Sequence, residues 1–192
     1  MIDGRVLWPI DRAGEAMETV ARASVWIGGT AQELPRYEGG DADSWIAACA
    51  TSLGIECDPV VLRYGGLVES LRALGPSVVR VGDGFLAILQ TMSRHALALT
   101  PDGLKVRVPL RELAAIAGQR IEEQFGAEAD RALAVADSGP NRRLRARALL
   151  IAEFAGNAAV PGVWLLRAPI ERALPQAREG RIVSGVVSFH SM

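Results

Sequence analysis

The strongest constraint on this chain is a change of hydrophobic period in its middle. Between residues 77 and 108 come four short runs, Ser77–Val81, Phe85–Leu89, Ala96–Thr100 and Lys105–Val108, all rich in apolar and β-branched residues. Gly82-Asp83-Gly84 and Pro101-Asp102-Gly103 stand between them as turn sequences. The pattern predicts an antiparallel meander. Alternation in Lys105–Val108 predicts a strand with one wet face, and Phe85–Leu89 one buried on both. Helical periods precede and follow these runs, so the expected fold class is α+β, with helices packed on a small antiparallel sheet.

The helical segments have readable ends. In Asp41–Gly54, Asp41 or Asp43 caps the start, and Ile46, Cys49, Ala50 and Leu53 make one apolar face. Gly54 ends it in the left-handed region. Trp8-Pro9 is expected to open a first helix, with Ile10, Met17, Val20 and Ala21 buried. Asp58-Pro59 reads as another helix start, its buried face carrying Val61, Tyr64, Val68, Leu71 and Leu74 before Gly75-Pro76. After Pro109 come a short amphipathic set at Leu110–Ala117, a helix through Ile121–Ala136 and an arginine-rich helix from Pro140 to about Gly156. Pro161–Arg167 is an extended or turn-like apolar patch. A boundary is expected near Gly118: an α+β domain over 1–118, then a helical extension, or a linker toward a membrane part, over 119–192.

Composition narrows the class. A formal charge of −1 over 192 residues provides no field for nucleic acid, which is not an expected partner. Two cysteines, Cys49 and Cys57, make no disulfide scaffold. Charged residues at Asp3, Arg5, Asp11 and Arg12 argue against a signal peptide. No apolar run reaches the roughly 18–20 residues that span a bilayer. The expectation is a soluble, cytoplasmic chain without cofactor or metal, since its two histidines and two cysteines lack ligand spacing.

Order and motifs together resemble the N-terminal peptidase-like domain of bacterial ABC exporters, the papain-like double-glycine leader peptidase group. Active members of that family carry a glutamine six residues before Asp-Cys-Gly, a following Ala-Ala-Cys-like helix, a proline-led strand, a His-led strand and a later Asp-Pro. Here Asp43-Ser44-Trp45 lies where Asp-Cys-Gly would be, followed by Ala47-Ala48-Cys49. Pro76–Val79 corresponds to the proline-led strand, and Gly84–Leu89 to the His-led one. Thr100-Pro101 stands for Asp-Pro, Glu38 for the oxyanion glutamine, and Pro109–Leu113 for the closing helix. The resemblance covers residues 8–118 and implies a degenerate member: Ser44 replaces the nucleophile, Gly84 the base and Thr100 the orienting acid. Catalysis by this route needs all three roles, and a glycine cannot be a base. The resemblance therefore implies a domain that binds or positions an exported peptide or unfolded protein, or docks on the transmembrane and nucleotide-binding parts of an exporter. Ser44, Trp45, Gly84, Phe85 and Thr100 would line its cleft.

Other residues carry alternatives. Cys49 with His95 as base, or Cys57, would make an active cysteine peptidase cleaving double-glycine leaders; burial on a helix face makes Cys49 a small hydrophobe instead. Ser44 lacks a nucleophile elbow and a placed histidine, and reads as a helix cap. Asp41, Asp43 and Asp58 match no calcium loop. His190 lies in a tail. Arg142, Arg143, Arg145 and Arg147 form a basic helix face suited to anionic lipid headgroups, each worth about 1 kcal/mol near such a surface, or simply to solvent.

Overall fold

Burial on both faces is what places the sheet at the centre of the molecule. The computed structural model describes residues 4–28, 33–134 and 139–169. Its strands are β1 (Trp8–Pro9), β2 (Glu56–Arg63), β3 (Ser77–Val81), β4 (Gly84–Thr91), β5 (His95–Leu99), β6 (Lys105–Pro109) and β7 (Ala159–Arg167). All seven belong to one antiparallel sheet in the order β2-β7-β3-β4-β5-β6, with β1 also paired to β4. The chain is α+β. β4 sends Phe85 and Ala87 to one face and Leu86 and Ile88 to the other, all of them buried. The wet face expected of Lys105–Val108 is present too: Lys105 and Arg107 are exposed on β6, an edge strand, where charges discourage pairing with another chain.

Helices cover both faces. α1 (Ala13–Ala23) and α2 (Ala42–Leu53) pack on one, where Met17, Val20, Ile46, Cys49 and Leu53 meet Val78, Phe85, Ala87 and Trp164. α3 (Leu67–Arg72) and α4 (Leu110–Ala117) pack on the other, where Leu67, Leu71 and Leu113 meet Val79, Leu86, Ile88 and Val163. α5 (Gln119–Leu133) and α6 (Pro140–Ala155) form a pair around Ala129, Ile151 and Ala155. α2 has the ends its sequence calls for. Asp41 accepts from the amides of Asp43 and Ser44, and Gly54 closes the helix at φ 64°.

Three expectations need correction. Trp8-Pro9 does not open a helix: it is strand β1, and α1 begins only at Ala13 after a short 3-10 turn over Ile10–Arg12. Asp58-Pro59 does not open one either. Glu56–Arg63 is strand β2, and only Leu67–Arg72 is helical. Proline is tolerated because β2 is an edge strand, where a missing N–H leaves no ladder bond unmade, while Val60, Val61 and Leu62 favour the pleated surface. The segment after 118 is not solely helical. β7 inserts between β2 and β3, pairing Trp164 with both Pro59 and Val78. Its alternating Val163, Trp164 and Leu166 bury on opposite faces, which makes it an interior strand and ties it into the same sheet as residues 56–109. Residues 170–192, including the tail histidine His190, lie outside the described residues.

Candidate functional site

The five candidate cleft residues are engaged in structure. Ser44 is exposed in the first turn of α2, its hydroxyl donating to Asp41 Oδ2 at 2.6 Å and its amide to the same oxygen at 3.0 Å. That hydroxyl, and then the backbone amides of Ser44 and Asp43, hold the Asp41 carboxyl below the usual aspartate range. Trp45 is buried. Its indole N–H donates to the Pro35 carbonyl at 2.9 Å and its ring lies 4.7 Å from that of Tyr37, so it fastens the connection that precedes α2. Phe85 is fully buried, its ring 5.7 Å from that of Trp164. Thr100 is buried at the end of β5, where its hydroxyl accepts from the Leu104 amide at 3.0 Å and pins the turn into β6.

Gly84 is covered by the chain itself. β1 pairs Trp8 with Phe85 and Pro9 with Gly84, and a Cβ at Gly84 would sit 2.7 Å from the Trp8 carbonyl oxygen. β3 occupies the other edge of β4 at these residues, so β1 lies in line with β5. The Trp8 indole N–H donates to the Leu99 carbonyl at 2.7 Å in a buried bond and closes the gap between them. Among the described residues the one histidine, His95, lies elsewhere, at the start of β5.

The thiols are equally quiet. Cys49 is fully buried in α2 and burial pushes it up to about 11. Cys57 is pushed up to about 12, first by burial and then by the charges of Asp58 and Asp43. Both are reduced. His95 opens β5 and lines a concavity with Arg72, Arg94 and Arg111, next to α3 and α4, whereas Cys49 belongs to the α1–α2 face. Among the described residues, no three His, Cys, Asp or Glu side chains converge as a metal site.

The arginines of α6 divide into two groups. Arg142, Arg143 and Arg145 are exposed. Arg147 pairs with Asp130 of α5 at 3.0 Å and its guanidinium occupies the space that a side chain at Gly126 would need, so it fastens α6 to α5. Among the described residues, no helix is long and apolar enough to cross a membrane.

The concavity with the most chemistry lies at the turn end of the β3–β4 hairpin, where Arg80 and Gly82 line it. Pairing of β3 with β7 stops at Val79 and Val163, although β3 runs on to Val81 and β7 begins at Ala159. At this fork a cavity of about 470 Å³ is bounded by the start of α2, the α4–α5 junction and the first residues of β7. Ile116, Ile121, Val160 and Trp164 make it apolar, and Asp41, Asp43, Arg80, Arg120 and Glu123 add charge. Trp164 donates its indole N–H to Asp43 Oδ1 at 2.7 Å, which fixes both the ring and the acid. Sequence reasoning missed Arg80 and Trp164. One signal was available: Arg80 shares the parity of Val78 in a strand of valines, so a charge points to a face that should be buried. Trp164 was visible as part of an apolar patch, but its position depends on β7 joining the sheet. No protein-family model, no curated protein and no solved structure matches the chain, so the chemistry of this surface carries the functional reading.

Proposed function

We propose that this chain is a non-catalytic, peptidase-like binding domain of an ABC-type exporter, which receives or positions the exported peptide or unfolded protein, or docks on the transporter, from the cytoplasmic side. The observation that carries the reading is a contrast around α2. The positions that the resemblance assigns to nucleophile, base and orienting acid hold Ser44, Gly84 and Thr100, all engaged in local structure. Beside the start of the same helix stands a cavity of about 470 Å³, a size within the ordinary range of ligand pockets of about 300–1,000 Å³. Apolar walls beside five charged side chains offer a peptide segment both side-chain and main-chain partners.

The test is an NMR titration of the isotope-labelled chain with a double-glycine leader peptide and, separately, an unfolded secreted polypeptide, each tube then read by mass spectrometry. The expected result is localised amide shifts with the ligand intact. Cleavage after the glycines, lost on alkylating a cysteine, would restore an active peptidase. No shift with either ligand sinks the substrate-binding reading.

A further inference from the structure

Arg80 stands out among the charged groups of the molecule. Its Nε is buried and has no hydrogen-bond partner, and among the described residues no ion pair includes it. A buried donor without an acceptor is costly, and a charged one more so. Nε itself is sealed from outside, but Arg80 as a whole is only half-buried. The two terminal nitrogens of the same guanidinium are not sealed and also have no protein partner among the described residues, so they are the donors that an acceptor from outside can meet. Arg80 lines the cavity at the β3–β7 fork, and its stem is held there by close packing: a Cβ on Gly162 would approach the Arg80 Cβ to 3.0 Å. Gly162 has φ 90°, a conformation that side chains resist, so the backbone of β7 can lie against Arg80 only with glycine there.

The acids of the cavity do not answer Arg80. Asp41 caps α2, Asp43 accepts from Trp164, and Glu123 accepts from the Gln119 amide at 2.8 Å. With Arg80 and Arg120 they make a lining of three carboxylates against two guanidinium groups. An anionic ligand would meet net repulsion there. A neutral carbonyl satisfies Arg80 without that cost, and cationic flanks on the same ligand would face the carboxylates. Ile116, Ile121, Val160 and Trp164 provide the apolar wall.

We propose that this cavity binds an extended, non-acidic peptide segment, with Arg80 donating to a main-chain carbonyl oxygen, a bulky apolar side chain against Ile121 and Trp164, and a basic residue beside Asp43 and Glu123. The inference rests on the binding-domain reading and gives it a site and a sequence preference.

The probes are acetyl-Ala-Leu-Lys-Leu-Ala-amide and its Glu counterpart, titrated into the labelled full chain. The Lys peptide is expected to shift the Gly82 and Gly162 amides and the Trp164 indole, with the Glu peptide weaker. Arg80→Gln is expected to weaken the Lys peptide by about tenfold or more, as loss of a charged donor does. Arg80→Lys should recover part of that loss. Ala159→Trp, at the exposed start of β7, blocks the mouth without touching Arg80 and should weaken binding as well. Each variant's amide spectrum checks that it is folded. Equal binding of the two peptides, or no effect of Arg80→Gln, overturns the site. If the leader peptide or the unfolded polypeptide binds elsewhere on the chain, this inference fails while the binding-domain reading stands; if nothing binds, both fall.

Discussion

At the scale of single residues, the two thiols bear on the cysteine-peptidase alternative. A nucleophilic cysteine has a lowered pKa; Cys49 and Cys57 are raised to about 11 and about 12. Iodoacetamide at neutral pH is therefore expected to label neither in the folded protein and both after unfolding, as read by mass spectrometry. Rapid labelling of either one in the folded protein would contradict this. Tyr64 is raised to about 12, first by burial and then by Glu122. The sign follows from proton counting. Above the ordinary thiol value of about 8.5 the unfolded chain loses protons that the folded chain keeps, so stability falls as pH rises toward the folded values. The melting temperature should drop through that alkaline window, and by less in a Cys49→Ala variant compared with itself at neutral pH.

At the scale of elements, two residues of β1 control what the end of the sheet can do. Trp8 is buried against Phe85 and bonded to the Leu99 carbonyl. Trp8→Ala should cost about 3–5 kcal/mol, the usual loss for a large buried aromatic. Trp8→Phe keeps most of the apolar contact and leaves the Leu99 carbonyl without its donor, at about 1–3 kcal/mol. Urea denaturation measures both, and a cost under about 1 kcal/mol for Trp8→Ala would mean that β1 is not seated as described. The same elements explain what was legible beforehand. The ends of α2 could be read because Asp41 and Gly54 act on their own neighbours in sequence. Trp8-Pro9 and Asp58-Pro59 misled because proline after such a residue suits a helix start and an edge strand alike, and only pairing partners far along the chain separate the two.

At the scale of the whole molecule, β7 settles where the folding unit ends. Val160, Val163, Trp164 and Leu166 are all buried, and at about 1.5–3 kcal/mol each their burial rivals the whole stability of an ordinary domain, about 5–15 kcal/mol. A fragment ending at residue 118 would leave β2 without its partner and one edge of β3 bare. It is expected to lack the dispersed amide spectrum of a folded domain, whereas a chain retaining β7 keeps it; a well-dispersed spectrum from the short fragment would refute the interior role of β7. The cavity depends on the same strand, since Val160, Pro161, Gly162 and Trp164 line it.

By itself the sequence determined what depends on neighbours a few residues apart: the α+β class, the β3–β4 hairpin with its Gly-Asp-Gly turn, the capped helix α2, and a buried thiol at Cys49. Tertiary structure alone decided the rest. Whether Asp58-Pro59 starts a helix or sits on a sheet edge, whether Gly84 faces a cleft or the backbone of Trp8, and whether Arg80 finds a partner all depend on contacts between residues far apart in the chain. Hydrophobic period reports that a face is buried, and carries no information about which distant strand buries it.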